Sequence, residues 1–193
     1  MSANPVVRMT PEEYLEAERK AEFKSEYWGG ELYAMAGGSY PHGVIIGNLC
    51  SELRQALKGT SCIVTPTEVR LRVSGGLYTY PDLMVVCGEP SFADDQKDTL
   101  LNPKVIIEVV SKSTEAYDRG AKLTEYRGLE SVQEYVLVSQ YQPRVERFGR
   151  HSSERWFLSD CVGMDAICEF ESLKCEIAMA EIYYNVTFAG ERV

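Results

Sequence analysis

Two acidic residues lie in or beside short apolar strands, where a carboxylate needs a partner. Glu108 has apolar neighbours on both sides in the run Val105–Val110, a β-branched stretch typical of a strand buried on both faces. An ionised carboxylate is unstable there unless a cation, a metal or a group of donors meets it. Asp82 follows Pro81 and begins a second apolar run, Leu83–Cys87. Two strands that aim one carboxylate each at a single point suit Mg²⁺, which proteins often hold with one or two carboxylates plus water.

A lysine in the segment after Glu108 can supply a positive charge. Polar residues that can cap a helix follow the Glu108 strand, and in the predicted helix Asp118, Lys122 and Tyr126 are spaced four residues apart, so they share one face. The apolar run Glu134–Val138 then completes a strand–helix–strand crossover, which places the helix back over the sheet. Lys122 is therefore expected near Glu108. The alternative is an ordinary helix salt bridge between Lys122 and Asp118.

Three stretches of the chain together resemble a known family. They are Tyr-Pro-Asp at 80–82, Glu-Val-Val-Ser-Lys-Ser-Thr at 108–114, and Asp-Arg-Gly-x-Lys-Leu-x-x-Tyr at 118–126. The combination is similar to the Uma-two restriction endonuclease family of the PD-(D/E)XK nuclease superfamily. The resemblance covers most of the chain, from about Thr10 to Tyr184.

The chain departs from the superfamily pattern at one position. The pattern has a lysine two residues after the glutamate, where this chain has Val110. The resemblance implies that Lys122, on the next helix, replaces that lysine. Val110 also keeps open a second hypothesis, a catalytically inactive module with the nuclease fold that binds nucleic acid or protein. A third hypothesis, a structural or regulatory dimer, predicts no shared cleft for Asp82, Glu108 and Lys122.

The resemblance implies a metal-dependent endonuclease that hydrolyses phosphodiester bonds of DNA, with Mg²⁺ or alternatively Mn²⁺ as cofactor. Asp82 and Glu108 are the expected metal ligands, and the backbone carbonyl of Val109 is a further one. A bound metal lowers the pKa of water and stabilises charge on the phosphate. Lys122 is expected to orient that water or to neutralise the developing negative charge. The sequence leaves open DNA versus RNA, the cleavage specificity and the biological role, and the family type suggests a homodimer.

Three further residues are accessory candidates. Glu31 follows the Gly29–Gly30 turn of a predicted hairpin, and the resemblance places an acidic residue of the site near here; the alternative is a solvated turn residue. His42 begins a predicted helix, where it can contact a phosphate or water, or form a local hydrogen bond. Tyr126 is expected to support the helix face that carries Lys122.

The predicted elements define an α/β (α+β) fold with, as the resemblance implies, a restriction-endonuclease-like core: a mixed central sheet flanked by helices. An N-terminal hairpin and C-terminal antiparallel strands are added to this core. In the strand Glu68–Val73, alternation places Glu68, Arg70 and Arg72 on one face, which is either a wet sheet face or a phosphate-contacting edge. The other predicted elements are a capped helix from Thr10, the hairpin Ser25–Met35, a helix over His42–Lys58, strands over Cys62–Thr65, Arg144–Gly149, Arg155–Ser159, Ala166–Phe170 and Lys174–Ala178, and a helix over Met179–Tyr184.

Length and composition predict one domain over residues 1–193, with residues 1–9 disordered or loosely held. The net charge of −9 argues against a protein that coats nucleic acid non-specifically, but it permits a local basic track. No apolar run reaches the ~18 residues of a membrane span, and the first residues lack a signal peptide's apolar core. We therefore expect a cytoplasmic protein without a membrane partner. The six cysteines form no CxxC pair and are predicted to be buried free thiols.

Overall fold

The computed structural model describes residues 8–35, 37–66 and 68–188. The helices are α1 Pro11–Glu18, α2 Tyr40–Ala56, α3 Glu115–Tyr117, α4 Leu123–Arg127 and α5 Met179–Ile182, with a π turn at Asp118–Lys122 and a 3₁₀ turn at Glu171–Leu173. The strands are β1 Ser25–Trp28, β2 Glu31–Ala34, β3 Cys62–Pro66, β4 Arg70–Arg72, β5 Tyr78–Thr79, β6 Leu83–Cys87, β7 Thr99–Leu100, β8 Val105–Val110, β9 Glu134–Ser139, β10 Arg144–Arg150, β11 Trp156–Val162, β12 Ile167–Phe170 and β13 Cys175–Ala178.

A mixed six-stranded sheet forms the centre of the molecule, in the order β11-β10-β9-β8-β6-β3. β8 and β9 run parallel, joined by the helical segment α3–π turn–α4, and the other neighbouring pairs are antiparallel. The predicted crossover from the Glu108 strand is therefore present. Because a parallel pair cannot be joined by a tight turn, the chain must carry this helical segment across the sheet.

Alternation along β8 divides its side chains between two cores. Val105, Ile107 and Val109 pack with α2, α5 and the β12–β13 hairpin. Ile106 and Val110 belong to the second core, which the α3–α4 segment covers. Because side chains alternate along a strand, Glu108 lies on the second face, between two fully apolar neighbours. The sequence of β8 thus directs one carboxylate towards the crossover segment.

A second sheet, in the order β2-β1-β5-β4-β7, carries the predicted N-terminal hairpin β1–β2. The capping box at α1 is present, since the Thr10 hydroxyl accepts from the Glu13 N–H at 3.2 Å and the Glu13 carboxylate accepts from the Thr10 N–H at 2.8 Å. Residues 1–7 of the N-terminal segment predicted to be loose lie outside the described residues. The Met9 N–H, in contrast, donates to the Gly30 carbonyl at 3.1 Å.

The predicted exposed position of Arg70 is wrong. β4 lies between β5 and β7, so its arginine is inside the second sheet and only 4% exposed. Arg70 Nε donates to the Tyr80 hydroxyl at 3.0 Å and Nη1 donates to Thr99 Oγ1 at 3.0 Å. Arg70 therefore joins two sheet segments and cannot present its guanidinium to a phosphate.

No helix in the described ranges is long and apolar enough to cross a bilayer.

Two cysteines form a disulfide between the neighbouring strands β3 and β6. Cys62 lies directly opposite Cys87 in the antiparallel register, and their sulfurs are bonded. The prediction of free thiols is wrong for this pair, because strand register and not sequence spacing brings the two residues together. Cys50, Cys161, Cys168 and Cys175 are free, as predicted.

Alkylation of the denatured chain tests this bond. Without reductant we expect iodoacetamide to modify the four free cysteines, and with reductant all six. The Cys62→Ser variant should show five modified cysteines without reductant, because Cys87 loses its partner while the other four remain. Mass spectrometry measures each number. Six modified cysteines in the unreduced wild-type chain would contradict the bond.

Candidate active site

The two strand carboxylates meet at one end of the six-stranded sheet. Leu83 pairs with Ile107 in the β6–β8 register, which places Asp82 beside Glu108. The Asp82 N–H donates to Glu108 Oε2 at 3.4 Å, and the Val109 N–H donates to Asp82 Oδ2 at 2.7 Å. Each carboxylate is therefore held by the backbone of the other strand, as the two apolar runs predicted.

Lys122 reaches the same point from the crossover segment. Its Nζ lies 3.0 Å from Glu108 Oε1, 3.2 Å from Glu26 Oε1 and 3.6 Å from Asp118 Oδ1. The side chain is only 8% exposed, so carboxylates replace water around this ammonium. The predicted approach of Lys122 to Glu108 and the alternative bridge to Asp118 thus both exist.

The π turn at Asp118–Lys122 sets the position of the lysine. The Tyr135 hydroxyl, from β9, donates to the Asp118 carbonyl at 3.1 Å and ties the turn to the sheet. Four residues after Lys122, the fully buried Tyr126 donates its hydroxyl to Glu108 Oε1 at 2.9 Å. Single π turns within helices are frequent at functional sites. Tyr126 thus contacts the central carboxylate directly, and its support of the helix face stays a prediction.

His42 approaches the pair from the N-terminus of α2. Ser39 caps this helix, since its hydroxyl accepts from the His42 N–H at 3.3 Å. His42 Nε2 lies 3.2 Å from Asp82 Oδ2. This hydrogen bond raises the pKa of His42 against the effect of its partial burial, and a hydrogen bond to the Val109 backbone adds to the rise. His42 therefore lies against the strand carboxylates.

The hairpin contributes a different carboxylate from the one predicted. Glu31 is exposed and accepts from the Tyr33 hydroxyl at 3.0 Å, and the structure does not bring it to Lys122. Glu26, on the neighbouring strand, is buried, contacts Lys122 and accepts a short hydrogen bond from the Thr79 hydroxyl. Its one signal in the sequence is an acidic residue directly before the aromatic pair Tyr27–Trp28, and sequence reasoning missed it.

The electrostatics of this cluster follow from burial. Burial raises the pKa of Glu108 to about 8, with Lys122 opposing the rise and Asp82 adding to it. Burial also raises the pKa of Asp118. For Lys122, burial lowers the pKa, but the charges of Glu108, Glu26 and Asp118 outweigh this effect and hold the pKa well above its usual value. Lys122 therefore stays protonated at neutral pH, while burial shifts Glu108 and Asp118 towards their uncharged forms.

These groups line one open cavity of about 470 Å³, a size within the range of ligand sites. Its lining comes from the hairpin, the loop before α2, the loop after β8 and the residues after β9. The polar and aromatic residues of its lining include Glu26, Tyr33, Ser39, His42, Asp82, Glu108, Ser111, Ser113, Thr114, Asp118, Lys122 and Tyr141, and the backbone of Val109 lies among them. We call this cavity the carboxylate cleft.

The donor set fits a hard divalent cation that keeps part of its water shell. Lys122 and Tyr126 both bond Glu108 Oε1, while Val109 and His42 both bond Asp82 Oδ2. One oxygen of each carboxylate remains for a metal, apart from the long 3.4 Å bond to Glu108 Oε2. No three His, Cys, Asp or Glu side chains in residues 8–35, 37–66 and 68–188 form a metal cage. Two carboxylates plus a carbonyl suit Mg²⁺ rather than a closed structural site.

A mixed sheet with paired carboxylates and a lysine at its edge is the arrangement expected of a restriction-endonuclease-like protein. A family model described as "Uma2: Putative restriction endonuclease" matches residues 11–177, and the chain belongs to this family. The predicted family resemblance is therefore confirmed. Restriction-endonuclease-like families generally use divalent metals.

The chain is also similar to two relatives and to one solved structure. Two proteins of Synechocystis sp. (strain ATCC 27184 / PCC 6803 / Kazusa) are similar over nearly their whole length. Uncharacterized protein sll1609 is 34% identical over 167 residues, covering 86% of this chain and 94% of its own. Uncharacterized protein slr1290 is 33% identical over 187 residues, covering 95% and 96%. The crystal structure of a putative nuclease belonging to DUF820 from Anabaena variabilis ATCC 29413 matches with a TM-score of 0.72 at 17% identity, covering 89% of this chain and 96% of that one, which confirms the predicted fold class.

Removing the buried ammonium should destabilise the fold. In Lys122→Met three carboxylates lose their cation in a buried site, so we expect the free energy of unfolding to fall by about 3–5 kcal/mol. Urea denaturation followed by circular dichroism measures the change. Lys112→Met is the control, because Lys112 is exposed and its replacement should change the value by no more than about 0.5 kcal/mol. Equal stabilities for the two variants would contradict the proposed ion network.

Proposed function

We propose that this chain is a metal-dependent endonuclease that hydrolyses phosphodiester bonds of DNA. Asp82, Glu108 and the backbone carbonyl of Val109 would hold Mg²⁺, or Mn²⁺ in its place. The observation that carries the proposal is the hydrogen-bonded network joining Asp82, Glu108 and Lys122 in one open cleft. The backbones of two neighbouring strands hold both carboxylates, which supports their use as metal ligands.

The metal, when bound, would lower the pKa of a water molecule and stabilise charge on the phosphate. Lys122 remains an ammonium because three carboxylates surround it, so it acts as a fixed positive charge and not as a base. It holds Glu108 in position and offsets negative charge as it develops. Tyr126 fixes the same Glu108 oxygen, and His42 orients Asp82.

The catalytically inactive binding module is the second candidate. Val110 in the lysine position of the superfamily pattern favours it, and so does the engagement of Lys122 by three carboxylates. The third hypothesis, a structural or regulatory dimer, predicts separate locations for Asp82, Glu108 and Lys122. Their common cleft argues against it.

The cytoplasmic location and the homodimer remain predictions.

Cleavage of plasmid and single-stranded DNA tests the activity. We expect wild-type protein to cleave with Mg²⁺ or Mn²⁺ and not with EDTA. Glu108→Gln should reduce the rate roughly 100-fold or more, because it removes a charged metal ligand and alters the Lys122 network. Glu130→Gln, an exposed position outside the cleft lining, is the matched control and should retain the wild-type rate. Intact DNA with every protein and metal would favour the binding module.

Metal binding has a readout that does not depend on cleavage. We expect calorimetry with Mn²⁺ to detect one or two sites in the wild-type protein. Asp82→Asn and Glu108→Gln should each weaken binding at least tenfold, since each replaces a carboxylate ligand by a neutral amide. The exposed Asp95→Asn variant controls for non-specific binding to surface acids. Wild-type affinity in both cleft variants would place the metal elsewhere.

A further inference from the structure

Two partly exposed tyrosines, Tyr33 and Tyr141, line the carboxylate cleft. Tyr33, on β2, is 46% exposed, and Tyr141, directly after Gln140 at the end of β9, is 44% exposed. Each hydroxyl has a hydrogen-bond partner: Tyr33 donates to Glu31 at 3.0 Å, and Tyr141 accepts from the Lys112 N–H at 3.0 Å. Aromatic rings open to solvent, beside a polar cleft, are suited to contact a flat ligand.

The charges of the cleft do not suit a double-stranded substrate. Among the described residues that line it, Lys122 and His42 are the basic ones, and carboxylates already engage both. Affinity for a duplex depends on neutralising phosphates along two strands. A cleft rich in carboxylates, on a chain of net charge −9, offers little of that attraction. Lys112 adds one ammonium at the rim, 5.5 Å from the centre of the Tyr141 ring.

Base stacking supplies binding energy where phosphate contacts are few. Every base has an aromatic face, but a duplex covers these faces with neighbouring pairs, whereas unpaired bases leave them free. Because both rings line the same cleft as Asp82 and Glu108, they can take bases of a strand whose phosphate lies at these carboxylates. The hydroxyls of Ser111, Ser113 and Thr114 also line the cleft and can donate hydrogen bonds to the adjacent phosphates of the strand.

We infer that the carboxylate cleft takes single-stranded DNA, or an unpaired segment of it, with bases stacked on Tyr33 and Tyr141. The inference names the substrate class of the proposed nuclease and so rests on the proposed function. The rings select unpaired bases, and the metal held by Asp82 and Glu108 receives a phosphate of the same strand.

Fluorescence anisotropy with Ca²⁺, and again with EDTA, tests the inference without cleavage. The probes are a labelled 12-nucleotide DNA strand, the same strand annealed to its complement, and a strand of equal length with abasic sites. We expect the single strand to bind at least tenfold more tightly than the duplex or the abasic strand, because both of these withhold base faces but retain phosphates.

Variants at the two rings make the test specific. Tyr33→Ala and Tyr141→Ala should each weaken single-strand binding about tenfold, the effect of losing one stacked base. Tyr33→Phe and Tyr141→Phe keep the ring and should bind within about twofold of wild type. Tyr184→Ala is the matched control, because Tyr184 is 61% exposed and lies outside the cleft lining.

The outcomes separate this inference from the proposed function. Equal affinity for duplex and single strand, unchanged affinity in both alanine variants, or no binding of any probe would each overturn the inference. If the wild-type protein cleaves duplex DNA and the tyrosine variants do so equally well, the nuclease proposal stands and the inference fails. If the single strand binds through the rings but no DNA is cleaved, stacking is supported and the nuclease proposal fails.

Discussion

The carboxylate buried in the middle of β8 is the constraint on which the rest of the site depends. Glu108 lies between apolar neighbours in a strand covered on both faces, where an isolated negative charge is costly. The structure meets that cost from three directions: an ammonium from the crossover segment, a phenol from α4 and a backbone N–H from the start of β6. The need to stabilise Glu108 thus determines how the crossover segment packs against the six-stranded sheet.

The network around Glu108 contains more carboxyl groups than cations. Glu26, Asp82 and Asp118 lie within one connected set of contacts, and Lys122 contacts two of these as well as Glu108. A bound metal ion would favour the charged forms of Glu108 and Asp118, whose pKa values burial raises. Burying several carboxyl groups together lowers the stability of the fold, but the same groups can bind a metal ion. The stability of the protein and its affinity for a metal are therefore linked.

The convergence of Asp82, Glu108 and Lys122 could be predicted from local signals in the sequence. A charge in an apolar run and a four-residue spacing on a helix are visible without tertiary contacts. Glu26 was not recognisable, since its role depends on how the hairpin docks against the crossover segment. Arg70 was misplaced for a similar reason: alternation gives the face of a strand but not whether another strand covers it. The Cys62–Cys87 bond likewise follows from register alone.

The π turn makes the position of the cation a matter of residue count. Each residue advances an α-helix by about 100°, and a π turn accommodates one residue more than an α-turn. A regular α-helix with the same number of residues between Asp118 and Lys122 would rotate α4 relative to α3. Lys122 and Tyr126 would then lose their common alignment with Glu108. The backbone geometry of the π turn, and not the side chains between Asp118 and Lys122, therefore directs the cation towards Glu108.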